Sequence, residues 1–423
     1  MSSTGALPGE VETVIVGAGQ AGLTMSALLR DAGEEHVVLE ARDRLGGGWL
    51  DRWESFRLVT PNWTSAFAGF PYDGADPDGF MPRDEIVARI ARYAEVIAAP
   101  VELGAGVERL TRSTDPGRPG YHLATTRGPL AARRVVIAAG GFHVPKIPPF
   151  GAAMPARIAQ YHPHSFRSEA GLPPGAVLVV GSGQSGVQIA EELHDAGRRV
   201  FLSVGHCGRA PRRYRGRDFF FWLWGLRDRG AELGVGLPTV EQLPDPRLRF
   251  ACNPQLSGHH GGHDMNLRRM AHDGITLVGR LAGIDGERVA FGPDLAANLA
   301  YADAFFDERL RGPIDTFIER AGATAGPDDR EPFAYEPPEV AELDLAAENV
   351  GSVIWTTGYR SDFSWIDFPI LDAFGVPVHD RGVSSIPGLY FLGLPWLRDQ
   401  GSATLFGVAR DGADLLERLT ASG

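Results

Sequence analysis

Two passages of one design predict an α/β fold with two Rossmann-like nucleotide domains, one inserted into the other. They read VIVGAGQAG at 14–22 and VLVVGSGQSG at 177–186. Each lies between a run rich in β-branched residues and a helix-forming stretch, so each predicts a β–turn–α–β unit. Size agrees with this reading. The chain has 423 residues, of which 43% are hydrophobic, enough for two or three packed domains.

The first unit opens with a strand over 11–16. Gly17, Gly19 and Gly22 complete G-x-G-x-x-G, and a helix (QAGLTMSALLRDAG) runs to Gly33. HVVLE at 36–40 is the second strand. Gly17 permits the tight turn, Gly19 lets a pyrophosphate approach the backbone, and Gly22 lets helix and strand pack closely. Gln20 and Ala21 open the helix, whose free N–H groups and positive dipole end face the phosphates. Glu40 ends the second strand, where a carboxylate accepts hydrogen bonds from ribose hydroxyls.

The second unit repeats the plan: a strand at 176–180, then Gly181, Ser182, Gly183, Gln184, Ser185 and Gly186, a helix, and a strand at 198–204. It differs at the position of Glu40, which is occupied by Ser203. No acid is near. Instead HCGRAPRRYRGR brings Arg209, Arg212, Arg213, Arg215 and Arg217. A carboxylate there would repel a 2′-phosphate, whereas a hydroxyl and guanidinium groups would hold one. The second site therefore reads as an NADPH site, with Ser203, Arg209 and Arg212 as its phosphate contacts, and the first as an FAD site.

The formal charge is −12, from 41 basic and 53 acidic residues. That argues against nucleic acid or an anionic membrane as partner. The longest apolar run near the middle, FFFWLWGL at 219–226, is too short to span a bilayer. The opening residues show no charged segment followed by an apolar run, so a cytoplasmic enzyme is expected. Cys207 and Cys252 are the only cysteines and lie far apart, so neither a disulfide framework nor a Cys-rich metal site is expected. The absence of C-x-x-C argues against a thiol relay. HHGGHD (His259, His260, His263, Asp264) is a weak metal motif, and no metal is expected. G-x-S-x-G and G-x-x-x-x-G-K-[ST] are both missing, which removes the α/β-hydrolase and P-loop readings.

With these residues in view, the chain resembles the flavin-containing and Baeyer–Villiger monooxygenases, in particular their small bacterial relatives. ARDRLGGGWL after Glu40 is similar to the family's R-x-G-G-x-W. The resemblance implies that Ala41, Arg42, Gly48 and Trp49 lie along the FAD, with Val107 and the Ala139–Gly140 turn on the same cofactor. LVTPNW (58–63) resembles the family's T-N segment and makes Asn62 the expected catalytic donor beside the flavin. VVIAAGGFHVPKIP (135–148) and VIWTTGYRSDFSW (353–365), with Thr357 and Gly358, resemble the two hinges. GLYFLGLPWLRDQGSATLFGVARDG (388–412) resembles the closing strand and helix, with a helix start near 402–404 and Thr404 at the flavin. The fingerprint F-x-G-x-x-x-H-x-x-x-[FYW] is only half kept in ARIAQYHPHSF (156–166): His162 and Phe166 remain, while Ala156 and Ile158 replace Phe and Gly. This weakens a Baeyer–Villiger assignment.

The expected organisation is interleaved: 1–167 begins the FAD domain, 168–344 is the NADPH domain with a substrate-shaping insertion, and 345–423 completes the FAD domain. The expected function is an NADPH-dependent FAD monooxygenase. The family's chemistry implies a C4a-(hydro)peroxyflavin that inserts one oxygen atom from O2 into a small organic substrate, by N- or S-oxygenation or Baeyer–Villiger reaction. A homodimer is compatible with this reading. The alternative enzyme is an NADPH-dependent flavin oxidoreductase passing electrons to a diffusible acceptor such as quinone or ferredoxin. A non-catalytic redox sensor is the third reading.

Overall fold

The computed structural model describes residues 5–113 and 120–421. Two sheets carry the architecture. In the first, β1 (Glu10–Val16) lies between β2 (His36–Glu40) and β6 (Gly128–Ile137), parallel to both. β3 (Val101–Leu103) extends the sheet beyond β2. β4 (Val107–Arg112) and β5 (Tyr121–Thr125) form an antiparallel arm on β6.

In the second sheet the order is Thr276–Val278, Val200–Ser203, Ala176–Val180, Val350–Trp355, Ala159–Tyr161, all parallel. In chain order these are β7 (Ala159–Tyr161), β8 (Ala176–Val180), β9 (Val200–Ser203), β10 (Thr276–Val278) and β11 (Val350–Trp355). The expected boundaries at 168 and 344 cut this sheet at both ends. β7 and β11 flank the insertion in sequence yet pair within its sheet, because strand partners are chosen by hydrogen bonding across the sheet and not by chain order. The chain then returns to the first sheet with the short antiparallel pair His379–Asp380 and Val383–Ser384 and with Leu389–Phe391 (β12), which pairs parallel to β6.

The central strands are apolar on both faces, as buried parallel strands must be: Val14 and Ile15 in β1, and all five residues of β8, are buried. Helices cover them. α1 (Gln20–Asp31) packs on the C-terminal helix α7 (Val408–Ala421), while α2 (Arg83–Val96) and α3 (Gln184–Asp195) complete the layers. The insertion adds α4 (Phe219–Arg229), α5 (Leu295–Arg309) and α6 (Arg311–Ala321), with a separate core of Phe219, Trp222, Leu226, Phe306, Ile314 and Phe317. It also carries an antiparallel hairpin, Leu281–Asp285 with Arg288–Phe291. No helix of the described residues is long and apolar enough to cross a membrane.

Candidate functional site

The two glycine turns are built alike, atom for atom. Gly17 has φ +103° and Gly181 φ +108°, a region that favours glycine. Their N–H groups donate to the carbonyls of Leu39 and Ser203, the ends of β2 and β9. A Cβ on either would lie 2.8 Å from a carbonyl oxygen of the crossing segment, Ala138 or Thr356. A Cβ on Gly22 would lie 1.8 Å from the Gly17 oxygen, and one on Gly186 would lie 1.9 Å from the Gly181 oxygen. Gly19 and Gly183 are the residues just before α1 and α3. Both turns thus leave a cradle of backbone that only glycine permits, at a helix N-terminus. This donor set fits a dinucleotide pyrophosphate.

Around the first cradle the expected FAD residues converge. The Glu40 carboxylate is buried and held in place, accepting from the N–H groups of Ala18 (2.9 Å) and Arg42 (3.0 Å). Arg42 turns away and pairs with both oxygens of Asp51, which raises its pKa. Gln20 joins distant pieces: its amide donates to the Ala403 carbonyl (2.7 Å) and accepts from the Trp49 indole N–H (2.9 Å). Ala21 is buried behind the turn. Gly48 and Ala41 are exposed at its mouth. Ala139 passes against Gly17, with Gly140 next to it at positive φ. Val107 starts β4, two residues after Ala105, whose N–H donates to the Glu40 carbonyl. Thr404 lies in a run of turns, since α7 begins at Val408 and not near 402–404; its hydroxyl donates to Gly401. Phe406 and Gly407 separate that run from the helix proper.

The second cradle is lined differently. The Ser182 hydroxyl accepts from the Gly205 N–H (3.0 Å). Gln184 clasps the backbone of Leu256 through both ends of its amide. Ser185 is part-exposed in the first turn of α3. Thr357 donates to the Lys146 carbonyl, and the Gly358 carbonyl accepts from His162 Nε2 (2.9 Å). His162 also stands edge-on to Tyr359 and burial lowers its pKa, so it is a hinge pin in the neutral form.

Three of the expected residues bond within the protein. Asn62 is tied to the 72–81 loop: its carbonyl accepts from Met81 N–H (2.6 Å), and its NH2 donates to Asp76 O (2.9 Å) and Tyr72 OH (3.5 Å). It lines a cavity of about 860 Å³ with Arg57, Phe80, Glu85 and His260. Ser203 is buried, and its hydroxyl donates to the Gly279 carbonyl. Arg212 is buried between the Phe80 and Phe220 rings, pairs with Asp218 (2.8 Å) and donates to Val59 O (2.7 Å). Desolvation lowers its pKa. Arg209 differs: among the described residues its side chain bonds through Nε alone, to Asp303 (2.9 Å), with its terminal nitrogens turned to no described partner. The histidines of HHGGHD pair with α3 carboxylates, His263 with Glu191 (2.9 Å) and His260 with Asp195 (3.1 Å).

Other residues at the site were not legible in the sequence. Trp63, beside Asn62, meets Trp224 of α4 edge-on (5.7 Å), and Trp224 meets Phe406 (5.9 Å). Phe220 also faces Phe406. α4 therefore has two faces, one in its own core and one over the 401–407 turns. Below them Arg227 is 5% exposed, stacks on Phe406 and donates to Gly407 O (3.1 Å) between Asp399 and Asp411. Burial pulls its pKa down to about 10. The cysteines correct a further expectation: the structure joins Cys207 and Cys252 in a disulfide, Cα atoms 5.9 Å apart and 45 positions apart in sequence. The segment between them leaves the β9 end and comes back to it, which spacing alone does not reveal.

Comparison with known proteins places this geometry. The family described as pyridine nucleotide-disulphide oxidoreductase matches residues 14–215. A CzcO-like oxidoreductase of Geobacillus kaustophilus is 30% identical over 410 residues, 96% of this chain and 97% of its own. The CzcO oxidoreductase of Bacillus subtilis is 27% identical over 96% and 99%. A dimethylaniline monooxygenase of Mus musculus is 25% identical over 90% of this chain and 66% of its own. Among solved structures, a flavin-containing monooxygenase from Stenotrophomonas maltophilia shares the fold at TM-score 0.63 and 21% identity, over 98% and 99% of the chains. With both cradles intact and a likeness running nearly end to end, the chain belongs to the CzcO-like oxidoreductases, and it is similar to the flavin-containing and Baeyer–Villiger monooxygenases, which use FAD and NADPH.

Proposed function

We propose that the protein is an NADPH-dependent FAD monooxygenase that places one oxygen atom of O2 on a small organic substrate, at nitrogen, sulfur or a carbonyl carbon. The observation that carries the reading is the pair of matched cradles with unlike strand ends. Glu40 closes the first, where a ribose diol is recognised. The second has no carboxylate at the corresponding end, and Arg209 stands nearby to meet a 2′-phosphate. When bound, FAD supplies the redox chemistry and the activation of O2, and NADPH supplies the electrons.

The chain's own residues then have separable tasks. The N–H groups after Gly17 and Gly181 hold the phosphates. Gln20 ties Trp49 and Ala403 into one wall beside the first cofactor. His162 holds the hinge carbonyl of Gly358 and so fixes how the two domains meet. Trp63, Trp224, Phe220 and Phe406 form an apolar wall between the insertion and the 401–407 turns. Such a wall excludes water from a site where water diverts the oxidant to H2O2. Arg227 sits under that wall and donates to the Gly407 carbonyl, while Arg410 pairs with Asp399 and Asp411, so the turns stay packed. The test is NADPH-driven O2 uptake scored by product: oxygenated amine, sulfide or ketone supports the reading. H2O2 alone across all three classes, or rapid quinone or ferredoxin reduction instead, refutes it.

A further inference from the structure

The only two cysteines of the chain meet at the second cradle. Cys207 follows β9 and is 3% exposed, while Cys252 is partly exposed. The two cradles are each walled by a second segment at the same distance. A Cβ on Gly19 would lie 3.8 Å from the Cα of Gly47, and a Cβ on Gly183 would lie 3.8 Å from the Cβ of Cys252. Cys252 therefore stands where the GGGW passage stands in the first cradle, at the glycine whose missing side chain admits a pyrophosphate.

The segment 252–257 is a strap over this cradle. Its far end is well tied: Gln184 clasps Leu256, and the Gln255 amide and backbone N–H reach the Ser182 and Gly208 carbonyls. Its near end hangs on less. Residues 230–251 contain short 3-10 turns held by the Thr239–Asp399 bridge and the Arg249–Asp372 pair, and Asn253 accepts one bond from Gln400. The covalent link to Cys207 is what fixes Cys252 against Gly183.

We propose that Cys207 and Cys252 form a reversible thiol–disulfide site in the wall of the NADPH cradle, the disulfide form pre-organising the strap for the nucleotide. The proposal rests on the second cradle taking NADPH. On closure two S–H bonds break and one S–S bond forms. The two electrons and two protons pass to a peroxide, which becomes two waters, or to a small-molecule disulfide, which becomes two thiols. A small-molecule thiol or dithiol reverses the step by exchange, attacking through the exposed Cys252 sulfur. Peroxide is the uncoupled product of the proposed oxygenation, so the enzyme's own leakage would keep the pair oxidised.

The holoenzyme tests this directly. Alkylation under denaturing conditions should find no free thiol after exposure to oxidised glutathione and two after a phosphine reductant. In the reduced holoenzyme, saturating NADP+ should slow N-ethylmaleimide labelling of Cys252, mapped by mass spectrometry, by about fivefold or more. Reduction should weaken NADP+ binding by about three- to tenfold, the effect of one or two side chains that must be ordered on binding. Cys252→Ser should bind NADP+ like the reduced enzyme and ignore reductant. Two thiols that never pair, or a disulfide whose opening leaves NADP+ affinity and Cys252 labelling unaffected by each other, overturns the proposal. NADPH that fails to bleach the flavin in either redox state removes the cradle assignment and this proposal together. Equal affinity in both states removes this proposal alone.

Discussion

Gly186→Ala separates the two cradles. The added Cβ would sit 1.9 Å from the Gly181 carbonyl oxygen and 2.8 Å from the Thr356 hydroxyl, where real Cβ atoms stay beyond 3.0 Å. The start of α3 must therefore retreat by about 1.1 Å, at a packing cost of about 1–3 kcal/mol. An N–H group moved that far loses its bond to a phosphate oxygen, and each such charged bond contributes about 1.5–3 kcal/mol. Losing two weakens nucleotide binding by about a hundredfold or more. Gly22→Ala does the same to the first cradle, from 1.8 Å. The assay is visible absorbance. Gly186→Ala should purify yellow, bleach with dithionite and resist bleaching by NADPH. Gly22→Ala should purify colourless. The opposite pattern, or flavin retained at full occupancy in both variants, refutes the assignment of cradle to cofactor.

Further outcomes follow from the corrected site. Arg209→Ala should raise the KM for NADPH about tenfold, leave that for NADH nearly unchanged and spare thermal stability; equal effects on both cofactors exclude a 2′-phosphate contact. Arg212→Ala strands the Asp218 carboxylate among apolar rings and should cost about 3–5 kcal/mol in urea unfolding, whichever cofactor is present. Asn62→Ala should lower stability by about 1–3 kcal/mol, by freeing Met81 N–H and the 72–81 loop, without a selective rise in H2O2; a rise at unchanged stability would restore it as a catalytic donor. Trp224→Ala opens the apolar wall and should shift O2 use from product toward H2O2 while NADPH still bleaches the flavin. Burial lowers the pKa of His36, His162, His259 and His379, so the unfolded chain takes up protons that the folded chain resists. Their stability contribution is complete above the unfolded value near 6.5 and is lost as pH falls below it. His263, raised by its bond to Glu191, opposes them, as do the carboxyls of Glu192, Asp218 and Asp411, which burial raises. The urea midpoint should drop between about pH 7.5 and about pH 5.5; a midpoint that rises would contradict this.

What could be read from the residues in order is what depends on near neighbours. The glycine turns were legible because positive φ at Gly17 and Gly181, and the approach of Gly22 and Gly186 to their own turns, arise within six residues. Glu40 and the absence of an acid at Ser203 follow from strand length after each turn. The two nucleotide cradles came from this local logic.

Tertiary structure decided what distant segments do to a side chain. Arg209 and Arg212 stand three apart in one arginine-rich run, yet Asp303 leaves one half free, while Asp218, Phe80 and the Val59 carbonyl bury the other. Asn62 is tied to Met81 and Asp76, and β7 and β11 joined the second sheet from outside the predicted boundaries. Cys207 and Cys252, 45 positions apart, became partners because the insertion between them returns to the end of β9. Turn geometry is a property of a few consecutive dihedral angles, so sequence alone determines it. Burial, charge pairing and cross-links depend on which remote groups share the same few ångströms, and only the folded chain settles that.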